Sequence, residues 1–272
     1  MTGTKVLYVS QEITPYLPES EMSVIGRNLP QAIQERGREI RTFMPKFGCI
    51  NERRNQLHEV IRLSGMNIII DDSDHPLIIK VASIQAARMQ VYFIDNEDYF
   101  QRKFLFHDEK GEFFDDNDER AMFFARGVIE TVKKLQWPPS IIHCHGWFSA
   151  LLSLYVKRLY DDDPVFKNSK VILSLYNNGF NTLLNRSFKK KLAMDGVSEQ
   201  DLKLVEDPSY INFNKLVISM ADGIIIGSDG INEELMKFVE KSDKPVLPYQ
   251  DPGSYVDAYA TFYDRIINGS LS

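Results

Sequence analysis

Residues 141–150 read Ile141-Ile142-His143-Cys144-His145-Gly146-Trp147-Phe148-Ser149-Ala150. The first five are a run of strand length that enters a turn at the glycine, and Phe148 to Leu159 reads as the helix that follows. A strand of this kind beside a helix is the unit of a parallel sheet, whose strands are buried on both faces. Side chains alternate along a strand, so His143 and His145 point to one face. As a metal pair they need a third ligand, and none is evident. As buried, hydrogen-bonded histidines they need only partners. No metal site is expected.

The same alternation extends outward from this stretch. Upstream, Pro138 and Pro139 stop a helix running from about Asn117 to Leu135. Asp116 or Asn117 can cap its first amides. Asp118 and Glu119 suit its positive end, and Lys133 and Lys134 its negative end. Val6–Val9 and Glu39–Met44 read as earlier strands, with a helix from about Met22 to Arg36 between them. Pro30 predicts a kink or break in that helix, and Gly37 predicts its stop. Downstream, Val171–Leu175 and Ile224–Ile226 read as further buried strands. Ser228 or Asp229 caps a helix to about Glu240. Pro245, Pro248 and Pro252 mark an extended crossing, and Tyr255 to Ile267 reads as a closing helix. Residues 57–94 differ. Leu57–Leu63, Met66–Ile70, Leu77–Ile84 and Met89–Ile94 are short β-prone runs, read as a β-rich excursion from the core. The expected fold is α/β: a Rossmann-like, doubly wound, mostly parallel sheet in one domain over residues 1–272.

Composition excludes several classes. The 272 residues carry 43% hydrophobic and 26% charged side chains with a net charge of −6, which suits an ordinary globular core. A mildly acidic surface gives no electrostatic reason for nucleic acid or an anionic membrane as partner. No apolar run approaches the roughly 20 residues of a membrane span. Cys49 and Cys144 have no metal or disulfide spacing and read as reduced thiols of a cytoplasmic protein. The segment before Lys5 reads as no signal peptide. No cofactor is implied.

In open parallel sheets, ligands lie beyond the carboxyl ends of the strands. The loops after Val9, Ile142, Leu173 and Ile226 are therefore the candidates. The first reads Ser10-Gln11-Glu12-Ile13-Thr14-Pro15-Tyr16-Leu17-Pro18-Glu19-Ser20-Glu21. Ser10, Glu12, Pro15, Leu29, Pro30, Ala32, Ile33, Gly37 and Pro45-Lys46-Phe47-Gly48 follow, in order, the N-terminal motifs of bacterial glycogen and starch synthases. Val91-Tyr92-Phe93-Ile94-Asp95-Asn96 and Asp116-Asn117-x-x-Arg120 resemble the next two motifs. His143-Cys144-His145-Gly146-Trp147 resembles the family's H-x-H-D-W-H. Ser174-Leu175-Tyr176-Asn177 stands where the family has T-I-H-N, and Ile211-Asn212-Phe213 and Ala221-Asp222 match later segments. The resemblance covers about residues 4 to 240.

It implies a glycosyltransferase domain of α-1,4-glucan synthesis from ADP-glucose. Asp116 inherits a candidate catalytic position in the cleft, with helix capping as its other reading. Glu12, Asn117, His143, His145, Trp147, Tyr176 and Asn177 inherit substrate-binding positions. The departures fall on ligand positions. The family's K-T-G-G is Pro18-Glu19-Ser20-Glu21, its aspartate is Gly146, and its two histidines are Phe148 and Tyr176. Proline donates no N–H, phenylalanine neither donates nor titrates, and two like charges 4 Å apart repel by about 1 kcal/mol even in water. An ordinary acidic surface loop is the other reading of residues 18–21. Trp147, Phe148, Tyr176 and Tyr16 are candidate platforms for sugar rings. The family's second Rossmann-like domain, which holds the nucleotide, is not found in this sequence. A domain inactive in sugar transfer by itself is therefore expected. Candidate partners are α-glucan or ADP-glucose, a separate nucleotide-binding chain, or a second copy. A non-catalytic glucan-binding, regulatory or assembly protein is the alternative.

Overall fold

The computed structural model describes residues 3–269; the outermost residues of the expected 1–272 domain lie outside that range. Its strands are β1 (Lys5–Ser10), β2 (Glu39–Pro45), β3 (His58–Glu59), β4 (Met66–Ile70), β5 (Ser73–Ile84), β6 (Met89–Asp95), β7 (Ile141–His145), β8 (Lys170–Leu175), β9 (Gly223–Ile226) and β10 (Val246–Leu247). The helices are α1 (Glu21–Glu35), α2 (Glu97–Phe100), α3 (Asn117–Lys134), α4 (Trp147–Ala150), α5 (Leu152–Arg158), α6 (Phe188–Met194), α7 (Glu199–Leu202), α8 (Tyr210–Met220), α9 (Glu233–Lys241) and α10 (Tyr255–Asn268).

One sheet runs in the order β10-β9-β8-β7-β1-β2-β6-β5-β3, with β4 paired to β5. Every neighbouring pair from β10 to β6 is parallel, while β5 is antiparallel to β6. The chain winds outward from β1 in both directions, so the crevice where the winding reverses lies at the carboxyl ends of β1 and β7. Tyr8 pairs with His143 and with Thr42, and Thr42 with Val91; these side chains share a face. Ile94, three residues past Val91, lies on the other face. Tyr263 of α10 reaches His143, while Gly127 of α3 seats against Ile94 and Leu77. Helices thus cover both faces, as the doubly wound reading requires.

Four expectations are corrected. α1 runs unbroken through Pro30, because burial of Leu29, Pro30 and Ile33 against the sheet outweighs the one missing amide. The 57–94 region is β-rich as expected, and its β5 and β6 continue the main sheet. Within it, Leu57–Leu63 contributes only His58–Glu59 as strand, the rest turning on bonds such as Leu63 N–H to Val60 O. Residues 245–252 are more than a crossing, because Val246–Leu247 adds an edge strand to β9. α9 is capped by Asn232, which accepts from the amides of Glu234 and Leu235, rather than by Ser228 or Asp229.

Candidate functional site

Four strand ends, Ser10, His145, Leu175 and Ile226, open on one side of the sheet. The loop after β1 is tied down by its own polar groups. Gln11 accepts the Phe148 amide at 3.2 Å and donates to Glu12 at 3.2 Å. The Ser20 hydroxyl donates to the other Glu12 oxygen at 2.8 Å. Ser20 and Ser23 close a reciprocal capping box, each side chain accepting the other's backbone amide, which satisfies two of the donors at the start of α1. Both oxygens of Glu12 are therefore engaged within the loop.

Gly146, in the position of the family aspartate, has φ +83°. A Cβ there would lie 2.8 Å from Gln11 Oε1 and 2.8 Å from Met22 Cε. Met22, from α1's first turn, thus fills the space beside the β7 end. No pattern in the sequence announces this contact, because it joins segments more than a hundred residues apart.

His143 and His145 are fully buried with ring centroids 3.9 Å apart. His143 is hydrogen-bonded to the Tyr263 hydroxyl at 2.6 Å and to Ser174 Oγ at 2.7 Å. His145 Nδ1 is 2.9 Å from the Tyr176 hydroxyl. Burial pushes both imidazoles below their usual range, His145 to about 3, so both are neutral near pH 7. Tyr176, where the family has histidine, is itself buried and spends its hydroxyl on His145.

The expected sugar platforms are not available as platforms. Trp147 is 3% exposed and Phe148 0%. Trp147 packs against Phe106, Phe180 and Phe213 at 4.9–6.1 Å, and Phe148 stacks on Phe124 at 5.8 Å. Tyr176 and Tyr16 are likewise buried. An apolar ring with partners on its faces gains more from the core than from a cleft wall.

Asp116 precedes α3 but makes no side-chain cap. Arg102 grips it through two bonds of 2.6 and 2.5 Å while lying over the Phe114 ring. Asn117 is buried, donating to Phe106 O and accepting from Arg120. Capping by Asp116 or Asn117 is thus corrected: a bidentate guanidinium is the stronger claim on the carboxylate. Arg120 also binds the carbonyls of Tyr99 and Leu105; burial lowers it to about 9, still cationic at pH 7. Phe106 touches Trp147, so the Asp116–Asn117 corner adjoins the β7 end. Asn177 is exposed at the head of the β8 loop, and its neighbour Asn178 holds a buried amide without a hydrogen-bond partner among the described residues. Asn178 and Arg102 carry no sequence signal beyond their motif neighbours.

The Tyr249–Tyr255 segment crosses the first turn of α1. Between them lies a cavity of about 470 Å³ lined partly by Glu19, Ser20 and Glu21, with no lysine or arginine in its wall. No group of three or more His, Cys, Asp or Glu suited to a metal ion occurs among the described residues. No described helix is long and apolar enough to cross a membrane.

Residues 5–244 match the family model for the starch synthase catalytic domain. Glycogen synthase of Chlorobium luteolum is 41% identical over 174 residues, covering 64% of this chain and 36% of the relative. Glycogen synthase of Chlorobaculum tepidum is 36% identical over 240 residues, 88% of this chain and 48% of the relative. The chain therefore spans less than half the length of these relatives. The catalytic domain of starch synthase IV from Arabidopsis thaliana, bound to ADP and acarbose, shares the fold at a TM-score of 0.69 and 16% identity, over 92% of this chain and 52% of that one. With the motifs in order along the same sheet, this chain belongs to the starch synthase catalytic domain family.

Proposed function

We propose that this glycogen/starch synthase-like glycosyltransferase domain transfers no glucose by itself and serves as a non-catalytic regulatory or assembly module of α-glucan metabolism in the cytoplasm. The observation that carries this reading is the first loop. Where the family offers glycines and a lysine to the diphosphate of ADP-glucose, this chain has Pro18, Glu19, Ser20 and Glu21. The Ser20–Ser23 box occupies the amides of Ser20 and Ser23. A departing diphosphate needs cations or free N–H groups placed in advance, and this loop supplies carboxylates. Gly146, Phe148 and Tyr176 support the same reading: an aspartate and two histidines of the family are replaced by a glycine and two buried rings. Asp116 and Asn177 remain the residues best placed to meet a sugar, Asp116 with its charge balanced by Arg102. Among non-catalytic roles, burial of the aromatic rings favours assembly or regulation over stacking on glucan.

Calorimetric titration with ADP-glucose and ADP, and incorporation of labelled glucose into glycogen, test the proposal. Affinity weaker than about 1 mM and no incorporation are expected. Saturable micromolar binding, or labelled glycogen made by the pure chain, overturns it.

A further inference from the structure

The cavity between α1 and the 249–255 crossing has a chemistry of its own. Val24, Ile25 and the rings of Tyr249 and Tyr255 form its apolar wall. Glu19 and Glu21 stand on the same wall, exposed, and neither is ion-paired among the described residues. Tyr249 and Glu21 line the same wall, which sets an aromatic ring beside a carboxylate. An anion is repelled here. A neutral apolar molecule fills the wall and leaves both carboxylates unanswered. A cation with an apolar body meets both features, because the quadrupole of a tyrosine face and a carboxylate attract the same charge. The volume lies within the range of small-molecule sites.

We propose that this cavity binds a monocationic amine with an aliphatic or aromatic body, its ammonium at Glu19 and Glu21 and its body against Tyr249 and Tyr255. The inference goes beyond the proposed function and does not need it: binding of ADP-glucose elsewhere on the chain leaves it standing. The test uses the whole chain and three probes of equal length, hexylammonium, 1-hexanol and hexanoate, titrated by calorimetry with the tyrosine ring resonances followed by NMR. Hexylammonium is expected to saturate below about 10 mM and to bind at least about tenfold tighter than hexanol, with hexanoate weakest. The double variant E19Q/E21Q, whose changes are exposed and isosteric, is expected to lower hexylammonium affinity about tenfold while leaving hexanol unchanged. Its fold is checked by an unchanged thermal midpoint. Absence of saturable hexylammonium binding, equal affinity for hexanol and hexylammonium, or an E19Q/E21Q variant that binds hexylammonium like the parent each overturns the proposal.

Discussion

Gly146 and Met22 exclude each other's alternatives. A side chain at φ +83° is strained, and its Cβ would press on Met22 and Gln11. Gly146→Asp, which restores the family residue, is expected to destabilise the chain by about 1–3 kcal/mol in urea. Met22→Ala added to it should return part of that loss, since Met22 offers the flexible end of a side chain; no recovery in the double variant refutes the steric account. Restored sugar transfer in either variant would shift the cause of the proposed inactivity from the 18–21 loop to position 146. The replacements themselves were legible in the sequence, because a motif fixes which residue stands where. Their burial was not: whether Trp147 faces a cleft or Phe180 depends on where residues 106, 180 and 213 fold to, and spacing is silent on that.

α1 shows what an element can and cannot disclose beforehand. Its apolar positions and Gly37 mark its extent to within a residue, yet the break expected at Pro30 does not occur. Its start rests on Ser20, which caps the helix and holds Glu12. Ser20→Ala should lower stability by about 1 kcal/mol, read from the urea midpoint at constant slope. A shift below a few tenths removes the cap from the account. Among the strands, β1, β2, β6, β7, β8 and β9 are readable as runs because each is buried inside the sheet. β10 is two residues long, too short to carry any period, and only its pairing with β9 defines it. The cap of α9 was missed for a similar reason: Ser228, Asp229 and Asn232 are equally able acceptors, and the backbone decides among them.

At the scale of the whole molecule, the neutral histidine pair sets an acid limit on stability. Burial depresses both folded values, His145 to about 3, while an unfolded imidazole titrates near 6.5. Between these values the unfolded chain binds protons that the folded chain refuses. Stability is therefore full above about pH 6.5 and falls as pH drops, by about 1.4 kcal/mol per pH unit for each histidine. Urea unfolding at pH 7.5 and 5.5 should differ by about 1–3 kcal/mol from this pair, and His143→Phe should flatten the slope even if it lowers the plateau. A slope unchanged in that variant assigns the acid sensitivity elsewhere. Tyr263→Phe tests the same centre from α10. It leaves one imidazole nitrogen unanswered and should cost about 1–3 kcal/mol, visible as a lower melting midpoint.

The Tyr263 hydroxyl meets His143 and comes within 3.4 Å of the Tyr8 hydroxyl, 255 positions earlier in the chain. During translation, the first strand and the central histidine leave the ribosome long before the helix that completes them. Until residue 263 emerges, a polar ring in the middle of the sheet has lost one of its two partners, and the face it belongs to lies open to water. The nascent polypeptide must therefore wait for α10 before that face can close.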